Sequence, residues 1–158
     1  MSEENIPPRV LESSVVSLRE VTAETVRDIC RLSDTLTGPQ RFLVAPNAVS
    51  IAEAHFTKEA WFRAIYADDI PVGFVMLYVG VDSDELPEDE GVHLWRFMIA
   101  APYQKYGLGR KAMLLVIEYA RSLKAKKIVL SFVDKEGSPE GFYRKLGFER
   151  DGELIDDE

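Results

Sequence analysis

The segment Gln104-Lys105-Tyr106-Gly107-Leu108-Gly109-Arg110 holds two glycines, three cationic or amide side chains and the first residues of a long apolar-periodic run. A helix start exposes unpaired N–H groups and a partial positive charge. Glycines let backbone approach an anion closely. Together they form a cradle for a phosphate, and Lys105, Arg110 and Lys111 add positive charge beside it. The segment is not a Walker loop, because the Gly-Lys-Ser/Thr ending is absent, and it lacks the full dinucleotide fingerprint. A bare tight turn would leave the same trace, so the surrounding elements must decide its meaning.

Those elements follow from periodicity. Val15 to Val21 alternates and is β-rich, which predicts a strand. Thr22 is placed as the cap of a helix over Ala23 to Ser33, and Gly38-Pro39 breaks the pattern. A short helix is expected within Asn47 to Phe56, capped by Ser50 with Glu53 as its capping-box partner. Trp61 to Tyr66 and Pro71 to Val79 read as a hairpin, and Gly91 to Ile99 as a third strand after the acidic stretch Asp82 to Glu90. Leu108 to Leu123 is the longest helix. Its Leu108, Ala112, Leu115, Val116, Tyr119 and Leu123 share helical spacing with apolar residues between them, which predicts a largely buried helix. Lys127 to Val133 reads as a short strand. Pro139 to Leu146 reads as a short helix opened by proline and stopped by Gly147. The order predicts an α/β fold: a mixed, mostly antiparallel sheet with flanking helices. Its strand–helix–strand unit around the cradle should be parallel and right-handed.

With 158 residues the chain has the usual length of one domain. No stretch approaches the apolar length of a membrane span. Residues 1–10 read as a flexible arm and 11–158 as a single domain. Cys30 is unpaired and sits on an apolar helical face, which suits a core residue and a cytoplasmic location. Acidic residues number 27 against 19 basic, a net charge of −8. That field repels nucleic acid and attracts cations. The residues suggest no metal site.

The motif Gln104-x-x-Gly107-x-Gly109 resembles the pyrophosphate motif of the GNAT family of N-acetyltransferases. Leu94 to Ile99 is similar to that family's fourth strand, and Phe142-Tyr143-Arg144-Lys145-Leu146-Gly147-Phe148 to its late Phe-Tyr-x-x-x-Gly-Phe motif. The likeness spans about Val15 to Gly152 in the family's element order. Phe42 to Ser50, Ala52-Glu53-Ala54 and Pro71 to Met76 further resemble the diamine/spermine/spermidine acetyltransferase subgroup. The resemblance implies the GNAT fold and acetyl transfer from acetyl-CoA to a small cationic amine such as spermidine or spermine. The acceptor itself is not fixed by sequence. A non-catalytic CoA-binding module, or an acetyltransferase for peptide amines or an aminoglycoside, stays open as an alternative.

The chemistry then sets roles. An alkyl amine with pKa near 10.4 is neutral in roughly one molecule per thousand at pH 7, so freeing its lone pair costs about 4–5 kcal/mol. The site must remove that proton, stabilise an oxyanion and protonate a thiolate. By resemblance Tyr143 is the acid toward the thiolate, Phe97, Met98 and Ile99 contact the pantetheine arm, and residues 104–110, from Gln104 through Tyr106 and Leu108 to Arg110, hold the pyrophosphate. Some relatives carry a glutamate at the place of Trp95. Here His93, two residues earlier on the same face, is a candidate base. Glu53 is another, as base or as anchor for a substrate ammonium, and a water relay is a third option. Relatives often carry asparagine where this chain has Glu136, and Ser138 is the expected substitute contact to the cofactor arm. The acidic stretch 82–90 could concentrate polyamines or simply form a solvated hairpin tip. Family members continue into a last strand after a segment like Gly152-Glu153-Leu154-Ile155. Here Asp156-Asp157-Glu158 follows, so either the domain lacks that strand or the sequence is cut short of it; a missing strand would leave an open edge that a homodimer could cover.

Overall fold

A computed structural model of the chain describes residues 6–79, 91–130 and 139–149. Five strands form one sheet in the order β1 (Val16–Arg19), β2 (Ala60–Ala67), β3 (Ile70–Tyr78), β4 (Val92–Ile99) and β5 (Ile128–Leu130). The first three pairings are antiparallel, and β4 pairs β5 in parallel. The described helices are α1 (Val26–Arg31), α2 (Asn47–His55), α3 (Leu108–Ser122) and α4 (Glu140–Lys145). The expected mixed sheet and parallel β4–α3–β5 unit are therefore present.

β3 lies mid-sheet, so Val72 and Phe74 to Leu77 are buried on both faces, which explains their unbroken apolar run. The hairpin from β2 turns at Asp68, in the left-handed region at φ 53, a conformation a short polar side chain tolerates. Two helical layers cover the sheet. On one face Trp61 of β2 stacks on Tyr119 of α3, centroids 4.1 Å apart. On the other, Asn47 of α2 donates from Nδ2 to the Ile29 carbonyl at 2.9 Å and to Met98 Sδ at 3.7 Å.

Several expectations need correction. The first helix starts at Val26, because Thr22 to Thr25 closes a turn in which Thr25 Oγ1 accepts from the Thr22 N–H at 2.9 Å. The second starts at Asn47, three residues before the expected cap. Ser50 is fully buried inside it and caps nothing. Ser33 Oγ instead accepts the Asn47 N–H at 2.8 Å. The long helix is buried along one stripe, Leu108, Ala112, Met113, Val116 and Ala120, while Leu114 and Leu123 are exposed. Val10, assigned to the arm, is buried in the core. The acidic stretch 82–90, Glu136, Ser138 and the chain end from 150 lie outside the described residues. No helix among the described residues is long and apolar enough to cross a membrane.

Candidate active site

β4 carries an irregularity that shapes the site. Met76 pairs with Arg96 but the next residue, Leu77, pairs with Leu94. Trp95 is thus an inserted residue, a β-bulge that bends the strand and re-aims side chains. Alternation puts His93 and Trp95 on the face of Tyr78, and the bulge adds Arg96 to that face. Trp95 meets the Tyr78 ring edge-on at 6.4 Å, and the Arg96 guanidinium lies 5.3 Å from the Trp95 ring centre. Phe97 and Ile99 point to the opposite face.

The bulged strand forms one wall of a cavity of about 920 Å³. The other walls are residues 36–45, the turn into α3, Leu130 of β5 and the helix α4. A 3₁₀ turn at Ala101–Tyr103 leads into the cradle. Lys105 at φ 73 and Gly107 at φ 75 are both left-handed, and for lysine that is a strained conformation of the kind found at functional sites. Gly107 caps the fifteen-residue α3, and among the described residues no side-chain cap hydrogen bond closes its start. Those N–H groups and the aligned dipole stay open to an anion. At Gly109 a Cβ would lie 3.3 Å from the Phe142 ring, so only glycine fits easily beneath α4. Gln104 acts as a brace. Its Nε2 donates to the Ile99 carbonyl at 2.9 Å and to Gln40 Oε1 at 3.0 Å, and Gln40 Nε2 donates back to Gln104 Oε1 at 3.3 Å.

The late motif also has a physical explanation. The Phe148 N–H bonds the Tyr143 carbonyl at 3.1 Å and the Gly147 N–H bonds the Arg144 carbonyl at 3.0 Å. Gly147 sits at φ 99. This is a Schellman ending, which needs glycine at that position and folds the next residue back on the helix. Phe148 therefore meets Tyr143 edge-on at 5.7 Å, while Phe142 stacks toward Phe97 at 6.0 Å. Tyr143 is buried against these rings and lines the cavity. Burial pushes its phenol well above the usual value, so it stays protonated.

Of the site residues expected from sequence, Phe97, Met98, Ile99, Gln104, Lys105, Gly107, Leu108, Gly109, Arg110 and Tyr143 line this cavity. Tyr106 does not, and Lys111 turns away, its Nζ donating to the Ser14 carbonyl at 3.0 Å and to that of Glu12. His93 lies partly buried on β4 outside the lining. Glu53 is also outside it, with Oε2 3.5 Å from Nη2 of Arg96. Ser138 falls outside the described residues. Sequence reading missed Arg96, Phe42 and Phe142 as lining residues. Their signal was present in motifs already singled out, next to residues that were named.

Residues 29–148 match the family model described as Acetyltransferase (GNAT) family. The chain belongs to the GNAT acetyltransferase family. The spermine/spermidine N(1)-acetyltransferase of Bacillus subtilis (strain 168) is 33% identical over 103 residues, 65% of this GNAT chain and 66% of that protein. The chain thus spans slightly under two thirds of that relative's length. In structure, a transcriptional regulator from Bacillus halodurans C-125 superposes with TM-score 0.66 at 15% identity, covering 91% of this chain and 99% of that one. The aminoglycoside 6'-N-acetyltransferase AAC(6')-IG from Acinetobacter haemolyticus gives 0.64 at 12% identity, covering 89% and 94%. These structural likenesses fix the GNAT fold.

Proposed function

We propose that this protein is an acetyl-CoA-dependent N-acetyltransferase acting on a small cationic amine, a polyamine such as spermidine first. The observation that carries the reading is that the open helix start at Gly107–Arg110 and the buried phenol of Tyr143 face one cavity across the bulged β4. The residues fit the donor. The first-turn N–H groups of α3 with Lys105 and Arg110 suit a pyrophosphate, and Phe97 to Ile99, which line the same cavity, would hold its pantetheine arm. Acetyl-CoA supplies the activated acyl group. A β4 backbone N–H near Met98 suits the oxyanion, whose stabilisation by fixed donors is usually a large share of catalysis. Tyr143 gives its proton to the departing thiolate. The amine proton leaves through His93 or an ordered water.

The 33% identity to a spermine/spermidine acetyltransferase supports the acceptor class. We place the protein in the cytoplasm as a homodimer free of nucleic acid. Burial and Asp34 push the Cys30 thiol up, which favours an inert thiol. Thiol release from acetyl-CoA, measured with monoamines, polyamines, peptides and an aminoglycoside, tests the reading. Spermidine should give the highest kcat/KM. Release with peptides or the aminoglycoside alone would move the acceptor class, and none with any amine despite CoA binding would leave a non-catalytic module.

A further inference from the structure

A cationic acceptor needs a counter-charge, yet the charged residues lining the described cavity are Arg96, Lys105, Arg110 and Lys145, all cations. Among these cations, Arg96 is the one paired with a carboxylate among the described residues, that of Glu53. That pair is loosely made. Its single contact is 3.5 Å long, at the limit of a hydrogen bond. Arg96 Nη1 turns back to the Trp95 carbonyl at 3.1 Å, and Nε is buried without a partner. A guanidinium normally seeks planar bidentate pairing and this one has none. Two more buried unpartnered atoms lie on α2, Asn47 Oδ1, whose Nδ2 reaches Met98 of β4, and Ser50 Oγ. Asn47, Ser50 and Glu53 are spaced three apart on α2, so they share a helix face. Buried polar groups in native proteins are nearly always paired, and an orphaned guanidinium nitrogen beside a single long contact marks Arg96 as a group without a settled partner.

We propose that Glu53 is the anchor for the acceptor's distal ammonium and that Arg96 occupies that anchor as a stand-in while the site is empty. The inference rests on the polyamine reading above and deepens it. A second cationic centre of a diamine or polyamine takes Glu53 and displaces the guanidinium, which keeps its bond to the Trp95 carbonyl. A monoamine has no such centre. Its reacting nitrogen must be neutral, so it leaves the Glu53–Arg96 pair undisturbed. Glu53 is then a specificity residue rather than a base.

Initial rates of the full chain at saturating acetyl-CoA, with propylamine, 1,3-diaminopropane and spermidine, test this. Glu53→Gln should raise KM for the two polycations about tenfold, the loss of one charge-assisted hydrogen bond. It should leave kcat within about twofold and KM for propylamine unchanged. Glu53→Asp should recover part of the loss, and Arg96→Gln should lower KM for the polycations by removing the competitor. Equal effects on propylamine and spermidine, no effect on either, or a collapse of kcat instead of a rise in KM would overturn the anchor. Calorimetric titration of spermidine into the protein with CoA separates the two layers. Spermidine that binds without turnover, and binds about tenfold weaker to Glu53→Gln, keeps the anchor while the transferase reading fails. No spermidine binding overturns the anchor and the polyamine acceptor together.

Discussion

Tyr143 is the residue on which the proposed chemistry turns, and its environment dictates two measurable consequences. A phenol held protonated by burial suits donation to a thiolate, and general acids contribute roughly a hundredfold or more. Tyr143→Phe should therefore lower kcat about a hundredfold while calorimetric acetyl-CoA affinity changes little. Unchanged turnover would remove Tyr143 from the mechanism. The same burial links folding to pH. The phenol's ordinary value is 10.0 and burial raises it in the folded chain. Below that ordinary value both states hold the proton and pH does not act through this group. Above it the unfolded chain loses a proton the folded chain retains, so stability falls as pH rises. Urea unfolding of wild type and Tyr143→Phe between pH 9 and 11 should give a shallower decline for the variant, and identical slopes would sink the point. Tyr143 was legible from sequence because its motif is local. The Arg96–Glu53 contact was not, since it joins residues 43 apart through a bulge that no spacing announces. Lys111 misled for the same reason: its partners Glu12 and Ser14 are nearly a hundred residues away.

At the scale of elements, two glycines govern how α3 and α4 meet β4. Gly147 holds a left-handed position that ends α4 and turns Phe148 onto Tyr143. Gly147→Val should cost about 1–3 kcal/mol, a fall in Tm of roughly 3–9 °C for a chain of this size, and should depress turnover more than CoA binding. Gly109→Val acts on the other helix. Its branched side chain would press on Phe142, whose ring is already 3.3 Å from a bare Cβ. It should weaken acetyl-CoA binding at least about tenfold, by misplacing first-turn N–H donors that each contribute a charge-assisted bond, with less effect on Tm. Equal acetyl-CoA affinity for the wild type and this variant would argue that the cradle does not hold the donor. The strands and α3 were readable because a period of two or 3.6 is written along the chain. The starts of α1 and α2 were not. Thr25 Oγ1 accepts the Thr22 N–H and Ser33 Oγ accepts the Asn47 N–H from fourteen residues away, and sequence order does not rank local against distant partners.

Across the whole molecule, charge is segregated. The chain carries −8, yet the charged lining of the described cavity is cationic. Two opposite ligands must therefore be drawn by different fields. The anionic donor is repelled by the bulk of the protein and held at short range by Lys105, Arg110 and the start of α3. The cationic acceptor is drawn by the bulk and repelled by the lining until it reaches Glu53. Screening acts on the long-range part first, because the Debye length shrinks from about 10 Å at 0.1 M to about 3 Å at 1 M salt. Raising ionic strength from about 0.05 to 0.5 M should thus raise KM for spermidine severalfold, mostly through slower association, since steering of charged ligands depends steeply on salt. KM for propylamine, with one charge, should rise far less. The ratio of the two KM values against salt is the measurement. A ratio independent of salt would mean that the acidic bulk gives solubility alone and that acceptor selection rests wholly on contacts within the seam between α2 and β4.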